Sequence, residues 1–229
     1  MQNIADNLAT IQRQIHAAEA AANRPEGTVC LLAVSKTQPA ETIREAFAAG
    51  QRQFGENYLQ EALDKIQQLS DLEILWHFIG PLQSNKTRKV AENFSWVHSI
   101  DRLKLAQRLS EQRPAHLPPL QLCLQVNISQ EASKAGCSPE EVPELVRAIH
   151  PLPQIKLRGL MAIPQAVADP DQQRQAFQAL RELLQSLQHE YPDMDTLSMG
   201  MSSDMTAAIT EGATIVRIGT AIFGARQAR

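Results

Sequence analysis

Short apolar runs alternate with segments of helical periodicity along the chain, and this alternation constrains the fold more than any other feature of the sequence. The first segment carries Ile4, Leu8, Ile11 and Ile15 at spacings of four, three and four, one apolar stripe that predicts a helix to about Ala22. Asn23-Arg24-Pro25-Glu26-Gly27 ends it. Eight strand candidates follow, at residues 28–34, 53–54, 74–79, 96–98, 120–128, 157–163, 196–200 and 215–218. Helical segments separate them. Pro39 opens the first and Gly50 closes it. Ser84 reads as a cap, Ser138-Pro139-Glu140-Glu141 as a helix start, and Asp169 or Asp171 as the start of a long helix lined by Phe177, Leu180, Leu184 and Leu187. Ser203 to Glu211 reads as a short helix.

Strict strand–helix alternation predicts a parallel sheet. Residues 28–34 carry no charge, as expected of a strand covered on both faces. Eight units in 229 residues favour one closed (β/α)8 barrel of the TIM type over an open doubly wound sheet. The glycine fingerprint of a dinucleotide fold is absent after the first strand. The expectation is a single domain over residues 1–229, with residues 1–22 as an extra helix in front.

Composition removes several classes of function. A formal net charge of −3 provides no broad basic field for nucleic acid. Cys30, Cys123 and Cys137 are odd in number and form no CxxC pair, which points to a reducing compartment and away from disulfides or a structural zinc. The N-terminus shows no basic region followed by an apolar stretch, and no run is long enough for a bilayer, so a cytoplasmic protein without membrane contact or metal is expected.

In a barrel the site lies where strands lead into helices. The first strand ends in Ser35-Lys36. A lysine there is either one whose stem packs while its ammonium reaches water, or an amine nucleophile able to form an imine with an aldehyde. The other strand ends carry Glu56-Asn57, His77, His98-Ser99, Asn127, Met161, Ser198 to Ser203, and Arg217 to Thr220. The last two loops suit a phosphate, since Ser202 and Ser203 precede a helix and Gly219-Thr220 offers amides and a hydroxyl; alternatively the serines are plain caps and Gly219 a turn. Arg217, between Val216 and Ile218, must be paired when buried, by protein groups or by a ligand. His77 and His98 read first as packing or hydrogen-bonding residues, and Met161 and Met199 as core or pocket wall. A lysine amine and a phosphate cradle in one cavity describe a phosphorylated aldehyde, with pyridoxal 5′-phosphate the obvious candidate. A sugar-phosphate aldolase needs the same two features plus an acid or base, for which Glu56 is the one acid nearby.

The motifs Ala33-Val34-Ser35-Lys36-Thr37, Phe54-Gly55-Glu56-Asn57-Tyr58, Trp76-His77-Phe78-Ile79-Gly80-Pro81-Leu82-Gln83-Ser84-Asn85-Lys86, Gly159-Leu160-Met161, residues 197–205 and residues 216–224 resemble, in order, those of the YggS/PROSC family of pyridoxal phosphate homeostasis proteins. The resemblance implies a barrel like the N-terminal domain of alanine racemase, with the cofactor on Lys36 as an internal aldimine. It implies Arg217 at the pyridine nitrogen; Ser202, Gly219 and Thr220 on the phosphate, with Ser198 helping; and Asn57, His77 and Met161 along the ring. It further implies a carrier or buffer of the cofactor, without a catalytic residue set, affecting vitamin B6 and amino-acid balance. Its partners would be pyridoxal phosphate and cofactor-dependent apo-enzymes or regulatory proteins. A racemase adds a β-rich domain whose dimer partner contributes a tyrosine. Here only Tyr58 and Tyr191 exist, so efficient amino-acid chemistry is not expected, and a barrel without the racemase dimerisation domain is expected to be a monomer. The rival is an enzyme with weak racemase-type activity.

Overall fold

The computed structural model describes residues 3–129, 135–165, 167 and 169–224. A leading helix, α1 (Ile4–Ala21), precedes eight strands: β1 (Cys30–Val34), β2 (Gln53–Glu56), β3 (Leu75–Phe78), β4 (Trp96–Ile100), β5 (Leu120–Gln125), β6 (Ile155–Met161), β7 (Thr196–Ser198) and β8 (Ile215–Ile218). Between and after them run α2 (Ala40–Ala48), α3 (Leu59–Gln68), α4 (Thr87–Asn93), α5 (Leu103–Gln112), α6 (Val142–Ile149), α7 (Pro170–Gln188), α8 (Met205–Thr210) and α9 (Thr220–Phe223). The strands pair in chain order and close into a barrel. Closure is made by β1 and β8, in parallel register from Cys30 opposite Ile215 to Ala33 opposite Ile218, which rules out the open sheet.

The α1 stripe packs on the outside of the barrel, with Leu8, Ile11, Ile15 and Ala18 buried. Burying a side chain of the Leu or Ile class contributes about 1.5–3 kcal/mol. Glu19, buried near the end of α1, accepts from Val29 N at 2.7 Å and Gly27 N at 3.1 Å, which ties the helix to the start of β1. Ser138 and Glu141 form the reciprocal cap read from the sequence, and Asp169 Oδ1 caps α7 by accepting from Asp171 N.

Several boundaries differ from the sequence expectation. The seventh strand stops at Ser198 rather than residue 200 because Gly200 adopts φ 98°, which no extended strand continues through. The fifth stops at Gln125, after which Val126 pairs with Cys137 outside the ladder. Residues 84–86 form a 3-10 turn, so α4 starts only at Thr87 and Ser84 is not its cap. The short helix expected at Ser203 begins at Met205; Asp204 accepts from Met201 N at 2.6 Å, which holds Ser202 and Ser203 in the preceding turn.

Gly159 faces Thr196 across the β6–β7 pairing, and a Cβ there would overlap the Thr196 carbonyl oxygen. Backbone cannot swing away as a side chain can, so Gly159→Ala is expected to cost about 1–3 kcal/mol, read as a lower urea midpoint at unchanged slope.

Candidate functional site

A cavity of about 310 Å³ opens at the end of the barrel where the strands finish, within the size range of small-molecule pockets. Lys36, Asn57, Ser202, Arg217, Gly219 and Thr220 all line it. Its apolar walls are Val34, Ile79, Ile163 and Met201. A second recess of about 360 Å³ shares Asn57, Ile79 and Ile163 with the first and extends over Gln125, Val126 and Asn127.

Each polar group arrives from a different strand end. β1 brings Lys36, two residues beyond Val34, with Ser35 N donating to Gly55 O at 3.0 Å. β2 is followed at once by Asn57, whose Oδ1 is buried with no partner among the described residues. An orphaned carboxamide oxygen beside a cavity suits a ligand's donor group, since a buried polar atom left unmade costs free energy. The loop after β7 brings Ser202. The end of β8 brings Arg217, and the turn into α9 brings Gly219 and Thr220.

His77, Met161 and Ser198 are not on the cavity wall; all three are fully buried in the barrel below it. Ser198 was expected to help with a phosphate, but its hydroxyl is already committed. Arg217 Nη1 donates to Ser198 Oγ at 2.8 Å, Ser198 Oγ lies 2.7 Å from His98 Nδ1, and His98 Nε2 lies 2.9 Å from His77 Nδ1. Arg217 Nη2 also donates to Ala162 O at 3.0 Å. The direction of this chain follows from donor counting. A guanidinium only donates, so Ser198 Oγ accepts from Arg217 and its proton goes to His98 Nδ1. Neutral His98 then donates from Nε2 to His77 Nδ1, and the His77 proton sits on Nε2. The opposite direction would leave the serine proton without an acceptor, as well as His77 Nε2, which has no partner among the described residues in either case.

Burial controls the charges. It pulls His77 down to about 3 and His98 well below its ordinary value, so both imidazoles are neutral at physiological pH. It pulls Arg217 down to about 10, against the opposing pull of Asp204, and the guanidinium stays cationic. The site therefore has a fixed cation in its floor and an amine on its wall. Trp96 stacks on His77 with ring centroids 5.4 Å apart and planes 5° from parallel, which supports the floor from beneath.

Sequence reasoning placed Glu56 beside the lysine but missed its partners. Glu56 is fully buried and accepts from Ser35 Oγ at 2.5 Å and Lys65 Nζ at 2.9 Å. Glu61 binds the same ammonium at 2.6 Å. The signal lay in α3, where Lys65 falls on the inward stripe between Ala62 and Leu69 with Glu61 four residues before it. His98 read from the sequence as a packing or hydrogen-bonding residue, and its bonding on both ring nitrogens emerges only from the fold.

The family described as alanine racemase, N-terminal domain, matches residues 2–227. The chain is 63% identical over 226 residues to the pyridoxal phosphate homeostasis protein of Pseudomonas aeruginosa, covering 99% of this chain and 97% of that one. It is 53% identical over 229 residues to the protein of the same name from Escherichia coli K12, covering 99% and 98%. The structure of PipY of Synechococcus elongatus, solved with PLP bound, superposes with a TM-score of 0.85 at 40% identity, covering 97% of this chain and 100% of that one.

Proposed function

The chain belongs to the pyridoxal phosphate homeostasis proteins, whose fold is that of the alanine racemase N-terminal domain, and from this we propose that it binds pyridoxal 5′-phosphate covalently through Lys36 and serves cofactor homeostasis. The observation that carries the reading is one cavity lined by a lysine amine, a buried arginine and the Ser202 and Gly219-Thr220 loops. When bound, the cofactor supplies an aldehyde and an electron-withdrawing ring. Lys36 provides the amine. Ser202, Gly219 and Thr220 hold the phosphate with a hydroxyl pair and main-chain amides. Arg217, kept cationic and donating, would face the ring nitrogen of a bound cofactor and disfavour a proton there, which would weaken the ring as an electron sink. Asn57 would meet a polar group at the ring edge. His77, Ser198 and Met161 act from beneath, by aiming Arg217 and filling the barrel.

The protein acts as a carrier in the cytoplasm, buffering free cofactor and passing it to apo-enzymes. Support comes from the lining: among the described residues around both recesses, Lys36 is the single amine and no carboxylate, imidazole, thiol or phenol joins it there, whereas racemisation needs a proton-transferring group on each face of the substrate carbon. Among the described residues no helix is long and apolar enough to cross a membrane. The second recess favours the rival reading, weak racemase-type activity, because it adjoins the Lys36 cavity through Asn57, Ile79 and Ile163 and offers room for an amino-acid side chain.

Borohydride reduction followed by peptide mass spectrometry is expected to find the reduced cofactor on Lys36. Single-enantiomer alanine incubated with the loaded protein is expected to keep its optical rotation over many protein equivalents. An adduct on another lysine overturns the binding reading, and loss of rotation overturns the carrier reading.

A further inference from the structure

Behind Lys36, on the side away from the cavity, lies a cluster of three charged side chains that the binding site does not use. Lys65 Nζ, from α3, reaches Glu56 Oε1 at 2.9 Å and Glu61 Oε1 at 2.6 Å. The three side chains are 6%, 0% and 17% exposed, so this is a buried ion cluster. Such clusters are poor sources of stability, because desolvation offsets most of the attraction and apolar replacements of similar volume often do as well. Its bonds to the main chain indicate another use. Lys65 Nζ donates to the Ser35 carbonyl at 2.8 Å, and Thr37 N donates to Glu61 Oε1 at 2.5 Å. Ser35 and Thr37 are the two neighbours of Lys36 in the chain.

Thr37 shows that this grip works against a local preference. Its φ is 65°, a conformation that β-branched residues avoid. Its own hydroxyl does not repay the distortion, since Thr37 Oγ1 is buried with no partner among the described residues. Backbone strain of this kind persists only where surrounding structure over-determines it, and it collects at functional sites. The over-determination here is visible, because the main-chain groups on both sides of Lys36 are tied to one ion cluster carried by β2 and α3.

We propose that Glu61 and Lys65 are positioning residues for Lys36: by fixing the Ser35 carbonyl and the Thr37 amide, they hold the lysine amine aimed into the cavity for attack on an aldehyde. The inference rests on the reading of Lys36 as the point of attachment. In that condensation the neutral amine adds to the aldehyde carbon, a C=N bond replaces C=O, and one water leaves, with no change in oxidation level. Positioning acts on the attack step and leaves phosphate recognition at Ser202, Gly219 and Thr220 unchanged.

The test separates attack from binding. Glu61→Ala removes the acceptor for Thr37 N but leaves Lys65 neutralised by Glu56, so the barrel is expected to fold. Glu61→Gln keeps an oxygen in the same place. Two measurements are made on each variant: the rate at which pyridoxal 5′-phosphate becomes fixed to protein, by absorbance and borohydride trapping, and the equilibrium binding of pyridoxine 5′-phosphate, which has no aldehyde. Misplacing a reacting group by about 1 Å costs up to a hundredfold in rate, so Glu61→Ala is expected to slow attachment about tenfold to a hundredfold. Its pyridoxine 5′-phosphate affinity is expected to stay within about twofold, and Glu61→Gln to attach within about threefold of the wild-type rate. Attachment by Glu61→Ala at the wild-type rate overturns the proposal. So does an equal loss of pyridoxine 5′-phosphate binding, which marks a general structural role, and so does a Glu61→Gln variant as slow as Glu61→Ala. Wild-type protein with no adduct on Lys36 overturns the underlying binding reading and the positioning role with it.

Discussion

Lys36→Ala protein is expected to purify without the visible absorption of covalently held cofactor and to give no adduct on borohydride reduction. The amine is the one covalent attachment point proposed in the cavity, so its removal leaves only the contacts proposed for the phosphate loops, Arg217 and Asn57. Apparent affinity for pyridoxal 5′-phosphate is expected to fall about a hundredfold or more, equivalent to about 2.7 kcal/mol. Lys36 is only half-buried at the mouth of the barrel, and the fold is expected to survive with its stability in urea unfolding changed by no more than about 0.5 kcal/mol. Lys36→Arg sharpens the result, since it restores a cation but not a nucleophile. A Lys36→Ala protein with the wild-type spectrum and trapping would place the cofactor on a different amine.

Acidification is expected to destabilise the protein through its paired histidines. His77 holds its proton only near pH 3 when folded, because burial removes the water that would solvate an imidazolium, but it titrates near 6.5 once unfolded. Between those values the unfolded chain binds more protons than the folded one, so unfolding becomes easier as pH falls. His98 is shifted in the same direction, by burial first and then by His77 and the Arg217 cation. Each histidine contributes a slope of up to about 1.4 kcal/mol per pH unit below 6.5 and nothing above it. Glu56 works in the opposite sense, since burial raises its pKa and the folded state then holds its proton more tightly. The clean comparison is therefore between wild type and His77→Gln, which keeps an acceptor for His98 Nε2 without a titrating ring. Urea midpoints at about pH 7.5 and about pH 5 are expected to show a smaller drop for the variant, by roughly one proton's worth of slope. Equal slopes would show that the imidazole is not protonated on unfolding in this range.

Chain order alone carried much of this. Eight apolar runs separated by helical segments left little room for anything but a parallel barrel, because each strand needs helices on its outer face and a neighbour on each side. The same order placed Lys36, Asn57, Ser202, Arg217, Gly219 and Thr220 at strand ends, which a barrel must gather at one rim. Those six were legible because a polar residue directly after a buried strand has one place to go. His77, Met161 and Ser198 have the same sequence position but point below the rim, and strand parity was too uncertain at the ends to show it. Side chains alternate with a period of two, so a boundary error of one residue exchanges inside for outside. The seventh strand, shortened at Gly200, is such a case.

Local pattern therefore determined the barrel and which end of it could hold a ligand. Tertiary structure alone decided the polar partnerships: the chain from Arg217 through Ser198 and His98 to His77, and the grip of Glu61 and Lys65 on the backbone around Lys36. Each of these joins groups from separate strands and helices. Periodicity reports whether a residue faces the core; a hydrogen bond depends on distances of a few tenths of an ångström between elements that meet only after the sheet has closed.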